Sequence, residues 1–189
     1  LLKARNGDVE AFEMIIEDYQ KKVFNIALRM IGNHDDASEL AQEVFIRIYK
    51  SIKNFKGESS LSTWIYRITT NVCLDELRKR KNKNVVSLDE DVKHEDGEIK
   101  RQVEDTGPTP DIIAEKNEIR RVVKEAILSL PEDQRTVIIL RDIQGFSYDE
   151  IAKIMNCPEG TVKSRINRSR QILRDRLKPK LEPLKGDYV

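Results

Sequence analysis

The residues with the clearest chemical purpose are the basic side chains between positions 160 and 180. This stretch carries only one acid, Asp175, and eight bases: Lys163, Arg165, Arg168, Arg170, Arg174, Arg176, Lys178 and Lys180. Such a density of cations on one segment suits the phosphates and base edges of nucleic acid. The stretch is therefore predicted to bind DNA.

Two short helices joined by a tight turn are predicted around these bases. Ser147 with Glu150 three residues later is a capping-box start for the first helix. A turn follows, and the second helix begins near Gly160 or Thr161 and ends at Pro179, because proline cannot continue the hydrogen-bond ladder. This is the pattern of a helix-turn-helix, whose second helix can enter a DNA major groove.

The composition indicates an all-α protein without catalytic chemistry. Charged residues make up 35% of the 189 residues and aromatic residues only 6%, which favours helices over a sheet sandwich. Cys73 and Cys157 are isolated and only two histidines occur, so no metal site and no cofactor are expected. We find no glycine-rich phosphate loop and no nucleophile with a paired base, which argues against an enzyme.

No apolar run approaches the roughly 20 residues of a membrane span, so no membrane insertion is expected, and a reducing cytoplasm is the consistent compartment. Because the chain begins at Leu1 rather than Met, a few preceding residues are expected.

Charge divides the chain into two mildly basic blocks around an acidic segment. Residues 82–113 carry four bases and nine acids and include the sequence GPTP, which is typical of a flexible acidic linker. We therefore predict one small helical domain over 1–81, a linker over 82–113, a second helical domain over 114–178 and a C-terminal tail over 179–189.

Apolar periodicity predicts three helices in the first domain and four in the second. The first three run from Asp8 to Gly32, from Asp35 or Asp36 to Ile52, and from Leu61 to Lys81. In the second domain, helices from Asp111 to Ser129 and from Glu132 to Ile143 precede the helix-turn-helix. The predicted core of this domain consists of Val122, Ala126, Leu130, Val137, Leu140, Phe146, Ile151, Ile154, Val162 and Ile166.

Three segments resemble a known family. They are DDASELAQEVFIRIYKSI at 35–52, NFKGESSLSTWIYRITTNVCLDELRKRK at 54–81 and LSLPEDQRTVIILRDIQGFSYDEIAKIMNCPEGTVKSRINRSRQILR at 128–174. All three are similar to bacterial RNA polymerase sigma factors of the extracytoplasmic-function (ECF) group, within the sigma-70 family. The resemblance implies an alternative sigma factor, with sigma domain 2 over 1–81 and sigma domain 4 over 114–178. The other hypothesis is a helix-turn-helix regulator that is not a polymerase subunit.

The resemblance implies partners for both domains. They are the RNA polymerase core, through its beta-prime coiled coil and beta flap, promoter DNA and an anti-sigma factor. The second helix would dock on the coiled coil with Asp36, Glu39, Gln42, Glu43 and Ile46. On residue types alone, a solvated face is the favoured interpretation of these side chains, although Ile46 lies off the core stripe, as a contact residue would.

By the same resemblance, the loop after this helix would hold a base flipped out of the opened −10 strand. An unstacked base needs an apolar surface and hydrogen-bond partners for its edge. The candidate residues are Phe55, Lys56, Gly57, Ser59, Ser60, Trp64, Arg67 and Asn71. Trp64 is better placed as core or support than as a free stacking platform, and Arg78 to Lys81 would contact phosphates.

The recognition helix would read the duplex −35 element. Inward-facing Val162 and Ile166 turn the predicted contact residues toward DNA: Thr161, Lys163, Ser164, Arg165, Asn167, Arg168 and Arg170. By matching family positions, Lys163, Ser164, Asn167 and Arg168 would meet base edges. Arg165, Arg170 and Arg174 would mostly contact phosphates, with Arg165 partly structural.

Overall fold

The computed structural model describes residues 1–86 and 110–182, and this part of the chain is helical with no strand. An N-terminal unit contains α1 (Leu2–Arg5), α2 (Val9–Ile31), α3 (His34–Ser51), a 3-10 turn (Ile52–Asn54) and α4 (Leu61–Val86). A C-terminal unit contains α5 (Pro110–Leu128), α6 (Glu132–Ile138) with a π-helical continuation (Ile139–Ile143), α7 (Tyr148–Met155) and α8 (Glu159–Leu181). The all-α prediction is confirmed for these residues, and α1 is an element that the sequence did not predict.

Local capping fixes where the N-terminal helices begin and end. The Asp8 side chain accepts a hydrogen bond from the Ala11 amide at 2.9 Å, and Gly32 ends α2 at φ +88°, where a side chain would be strained. The cap of α3 is Asn33, whose Oδ1 accepts from the amides of Asp35 and Asp36. The predicted start at Asp35 or Asp36 was therefore late, since both acids lie inside the first turn.

The core of the N-terminal unit lies where α2, α3 and α4 face one another. Its buried apolar side chains recur at helical spacing on all three helices: Phe12, Ile15, Val23, Ile26, Ala27, Met30, Ala37, Val44, Ile48, Ile65 and Val72. Cys73 belongs to the same core, and burial raises the pKa of its thiol to about 12. The three helices that apolar periodicity predicted are present, and their apolar residues form this core.

The C-terminal unit is built as the apolar pattern predicted. Nine of the ten predicted core residues are buried, and Phe146 is half-buried. The helix from Glu132 keeps its predicted end at Ile143, but its last five residues are π-helical. Gly145 follows this segment at φ +80°, a conformation that glycine adopts without strain.

Three predicted helix ends differ from the structure. Helix α4 continues to Val86 and α5 begins at Pro110, where the missing amide N–H of proline costs nothing in a first turn. Helix α8 passes Pro179 and ends at Leu181, since a proline in the last turn removes one hydrogen bond without breaking the turns before it. Residues 87–109 of the predicted linker and 183–189 of the predicted tail lie outside the described residues.

The two units pack directly against each other. Helix α4 lies along α7, and the end of α2 meets α5 and α6. The apolar side chains of both units join in one buried cluster. The rings of Tyr66 on α4 and Phe146 before α7 meet edge to face, with centroids 5.0 Å apart.

Candidate nucleic-acid and protein interfaces

Capping and a left-handed turn residue position the helix-turn-helix. The Ser147 hydroxyl accepts from the Glu150 amide, and the Glu150 carboxylate accepts from the Ser147 amide at 2.8 Å, so the predicted capping box is present. Asn156 ends α7 at φ +50°, a conformation that asparagine tolerates better than most residues. Pro158 then precedes α8, which begins at Glu159.

Helix α8 divides into a buried and an exposed side near its N-terminus. Val162 and Ile166 are fully buried against the unit. The side chains predicted to meet base edges, Lys163, Ser164, Asn167 and Arg168, are all exposed. The structure therefore gathers these four residues on one outward face, as the spacing predicted, while Thr161 is half-buried at its edge.

Acidic side chains hold several of the predicted DNA-binding cations. Arg165 forms a 2.6 Å ion pair with Asp133 on α6, and Arg170 forms a two-point ion pair with Asp142. Lys163 pairs with Glu159 at 2.9 Å, which raises the pKa of the lysine. Arg165 is thus a structural tie between α6 and α8, and its predicted phosphate contact would require breaking that ion pair.

A tyrosine between two cations is a feature that the sequence analysis missed. The Tyr148 ring, at the start of α7, has the Arg141 guanidinium 4.8 Å and the Lys163 ammonium 5.8 Å from its centroid, within the range of a cation–π contact. Arg141 also donates to the Phe146 carbonyl at 2.7 Å. These three residues belong to different helical segments, so the periodicity of the sequence does not predict that they meet.

The loop after α3 has a polar outer surface and an aromatic interior. Phe55 is buried, and its ring lies 5.0 Å from that of the half-buried Trp64. Phe55 therefore does not offer an open ring to a base, contrary to its predicted role, and serves as support beneath Trp64. Lys56, Gly57 and Ser60 are exposed and Ser59 is half-buried. The Ser60 hydroxyl accepts from the Thr63 amide at 3.1 Å, so it also caps α4.

The predicted single-strand residues on α4 differ in their availability. Asn71 is exposed. Arg67 donates to the Lys153 carbonyl on α7 through Nε at 2.9 Å and through a second guanidinium nitrogen. Further along, Arg80 pairs with Asp36 at 2.8 Å and with Glu76 at 2.9 Å, so it holds α4 to α3.

The predicted polymerase-binding residues share one side of α3. Glu39, Gln42 and Ile46 are exposed, and Ile46 retains 47% of its accessible surface. Glu43 pairs with Arg47 at 2.7 Å, and Asp36 is held by Arg80. Tyr49, one turn beyond, is 51% exposed and adds an apolar contact that the sequence analysis did not assign. The side is mixed in charge with two exposed apolar residues, a composition typical of protein interfaces.

The described part of the chain has neither a metal-binding group nor a membrane-spanning helix. Within residues 1–86 and 110–182, no group of His, Cys, Asp and Glu could hold a metal ion. No helix in these ranges is long and apolar enough to cross a membrane.

Comparisons with known proteins agree on one family. The profile described as sigma-70 region 2 matches residues 15–83, and that of sigma-70 region 4 matches residues 120–173. The ECF RNA polymerase sigma-E factor of Haemophilus influenzae is 38% identical over 180 residues, covering 94% of this chain and 93% of that protein. The ECF RNA polymerase sigma factor SigW of Bacillus subtilis is 38% identical over 177 residues, covering 93% of this chain and 94% of that protein.

A solved structure extends the likeness to three dimensions. The sigma factor RpoE of Bartonella quintana, solved in complex with the anti-sigma factor NepR, matches with a TM-score of 0.68 at 26% identity. The match covers 89% of this chain and 98% of that chain. The chain therefore belongs to the ECF group of RNA polymerase sigma factors, the alternative sigma factors that direct transcription from particular promoters.

Proposed function

We propose that the C-terminal unit reads the −35 element as duplex DNA. The observation that carries this proposal is the exposed face of α8 with Lys163, Ser164, Asn167 and Arg168 above a buried Val162 and Ile166. The amide of asparagine pairs well with adenine, and the cations of lysine and arginine pair well with guanine. Cations further along α8 would add contacts to phosphates, which strengthen binding without reading sequence.

The N-terminal unit, in this proposal, holds the opened −10 strand. The exposed loop residues Lys56, Gly57 and Ser60 offer a cation, free backbone and a hydroxyl to a flipped base, and Trp64 lies beside them. Asn71 continues this surface along α4. Because Phe55 is buried, the apolar contact to the base would come from Trp64.

The exposed side of α3 is our candidate for binding the RNA polymerase core, at the beta-prime coiled coil. Ile46 and Tyr49 supply apolar contact area, and Glu39 and Gln42 surround them with polar groups. The C-terminal unit would meet the beta flap. With these contacts, the proposed division is sigma domain 2 over 1–81, a linker over 82–113, sigma domain 4 over 114–178 and a tail over 179–189.

The remaining partners follow from the relatives. Because the RpoE protein that matches this chain was solved with the anti-sigma factor NepR, we include an anti-sigma factor among the partners. The place of action is the cytoplasm, where the polymerase and its promoters are. The protein would act by binding and strand opening, with no catalytic group of its own.

Run-off transcription tests the proposal. Core polymerase with this protein should initiate from a subset of templates in a genomic promoter library, while core polymerase alone should not. A variant with Asn167→Ala should shift the −35 preference, because a base-reading contact contributes about 1–3 kcal/mol. Binding to duplex promoters without any initiation by core polymerase would instead identify a helix-turn-helix regulator.

A further inference from the structure

Tyr148, the first residue of α7, lies beside the recognition helix α8. Its ring is within cation–π distance of Lys163, one of the side chains that we assign to the −35 bases. We propose that Tyr148 is a positioning residue: its ring holds the Lys163 ammonium at the outer face of α8 and thereby sets the preference for guanine at one base pair. The inference rests on the proposed function, since it deepens the role given there to Lys163.

Two contacts define where the Lys163 ammonium lies in the free protein. Its Nζ is 2.9 Å from a carboxylate oxygen of Glu159, one turn earlier on α8, and 5.8 Å from the centroid of the Tyr148 ring. The lysine side chain is still 54% exposed, so the ammonium remains accessible to a DNA base. The pKa of Lys163 is raised, chiefly by the hydrogen bond to Glu159, and the side chain therefore stays charged.

The two contacts of Lys163 should respond differently when DNA approaches. A lysine ammonium has three hydrogen-bond donors and no acceptor. The Glu159 carboxylate uses one of these donors, and its negative charge is repelled by the phosphates of the duplex. The face of the Tyr148 ring attracts the cation without carrying a formal charge, so it holds the lysine and adds no repulsion. We therefore expect the ring contact, rather than the ion pair, to persist when Lys163 binds a base.

The position of Tyr148 is fixed by the start of α7. The capping box between Ser147 and Glu150 holds the backbone directly before the tyrosine. The Tyr148 side chain is half-buried and packs against the apolar cluster of the protein. Because the backbone is capped and the ring is partly covered, Tyr148 is a rigid support for the flexible side chain of Lys163.

The π-helical segment before α7 connects the ring to the recognition helix a second time. Arg141 of this segment places its guanidinium 4.8 Å from the centroid of the Tyr148 ring. Its neighbour Asp142 accepts from Arg170 on α8, through Nε at 3.1 Å and through a second guanidinium nitrogen. Two adjacent residues of one segment thus contact the ring on α7 and a guanidinium on α8. These contacts hold Tyr148 at a fixed distance from α8.

The ring contact matters because the lysine side chain is flexible and its ammonium acts as a point charge. A lysine that reads guanine must direct its donors at O6 and N7 of the base. A side chain that is already held near this direction loses less conformational freedom on binding than one that rotates freely. The strength of an exposed cation–π contact corresponds to a factor of about 2 to 5 in binding. Removing the ring should therefore lower the preference for guanine about 2- to 5-fold.

The test variant is Tyr148→Leu, which removes the ring and keeps an apolar side chain. Its matched control is Tyr148→Phe, which keeps the ring and removes only the hydroxyl. Each is also combined with Lys163→Met, which leaves no ammonium to position, and with Asn167→Ala, which removes a different base contact. Tyr148→Met takes the place of Tyr148→Leu if that variant does not give a cooperative melting curve.

The first readout is the NMR signal of the Lys163 Hε protons in the free, isotope-labelled chain, assigned by its loss in Lys163→Met. Protons above the face of an aromatic ring are shifted upfield by the ring current. We expect this signal to move downfield in Tyr148→Leu and to keep its position in Tyr148→Phe. An unmoved signal in folded Tyr148→Leu would overturn the proposal, because the ring would then not hold the lysine.

The second readout is promoter selection by holoenzyme assembled with each variant. The templates carry a randomised −35 element, and sequencing of the bound templates gives the base preference at each position. Tyr148→Leu should lower the guanine preference about 2- to 5-fold at the one position that Lys163→Met also affects. It should have no further effect in the Lys163→Met background and its full effect in the Asn167→Ala background.

Other outcomes would overturn the positioning role. A uniform loss of binding in both Tyr148→Leu and Tyr148→Phe would identify the Tyr148 hydroxyl as a phosphate contact, since phosphate contacts do not read sequence. An effect of Tyr148→Leu that is the same with and without the Lys163 ammonium would show a structural role only. The proposed function fails separately: if Lys163→Met leaves the −35 preference unchanged, the base-reading assignment is contradicted, while the NMR signal still decides the ring contact.

Discussion

Alanine substitutions of Arg165 and Arg168, three residues apart on α8, should have different effects. One should lower the stability of the protein, and the other should weaken DNA binding. Arg165 pairs with Asp133 at 2.6 Å, and the two side chains are 30% and 45% exposed. Arg168 is exposed and has no ion-pair partner within residues 1–86 and 110–182. The first should therefore support the fold, and the second should bind DNA.

The exposure and partners of each arginine set the expected size of the loss in stability or in DNA affinity. Solvent screens the Arg165 ion pair in part, so Arg165→Ala should lower the free energy of unfolding by about 0.5–1 kcal/mol. For a domain of this size that is a fall of about 2–8 °C in the melting temperature. Arg168→Ala should leave the melting temperature nearly unchanged and weaken −35 duplex binding by about 1–3 kcal/mol, or about 5- to 150-fold.

The assay pairs thermal denaturation with fluorescence anisotropy on a labelled −35 duplex over a range of salt concentrations. The full chain can be used, because the outward face of α8 is exposed in the docked arrangement. Arg168→Ala should also relax the base preference at one position, while Arg165→Ala should keep the preference and the salt dependence. If Arg165→Ala weakened binding as much as Arg168→Ala without lowering the melting temperature, the structural assignment of Arg165 would be refuted.

Three further outcomes are expected. Ser147→Ala should lower the free energy of unfolding by about 1 kcal/mol in urea titrations, because the α7 capping box is lost; a change below about 0.3 kcal/mol would contradict this. Burial raises the pKa of Cys73 from 9.0 and of Tyr66 from 10.0, each to about 12. Both groups are neutral in the folded protein. Their contribution to the free energy of unfolding is therefore fully present below pH 9, and it is lost as the pH rises toward 12. Tyr66→Phe should flatten that fall in denaturation series, and an unchanged slope would contradict it. Gln42→Ala with Glu43→Lys should weaken binding to core polymerase in a titration, without changing −35 duplex affinity, and unchanged core binding would count against the α3 assignment.

Local signals predicted most of the helices, and long-range contacts explain most of what was missed. Asp8, Gly32 and Ser147 act within one turn of their own position, so their effects were visible in the sequence. The α6–α8 tie through Arg165 depends on an acid 32 residues earlier in the chain, which no periodicity indicates. The burial of Phe55 likewise depends on Trp64 folding back over the loop.

The docking of the two units was beyond sequence reasoning for a different reason. The sequence analysis assigned Arg67 to single-stranded DNA and gave Arg135 no role. Their acceptors are backbone carbonyls at helix ends. Because every residue has a backbone carbonyl, the residue type does not indicate which one accepts a hydrogen bond. The sequence thus indicated where the helix ends are, but not which cation would approach them.

The ion pairs on α8 also bear on the proposal that two units read the promoter. Eight bases between positions 160 and 180 would by themselves suggest a strong phosphate-binding helix. Arg165 and Arg170 are instead held by acids, and Arg176 donates to the Ser129 carbonyl at 3.0 Å. Each phosphate contact releases about one counterion from the DNA, and this release strengthens binding. Because several of its cations are held within the protein, the C-terminal unit alone should bind −35 DNA weakly. Linking it to a second unit on the same polymerase turns two weak contacts into one effective site, since the second contact forms at a high local concentration. Affinity for a promoter would then depend on both elements being present at the right spacing.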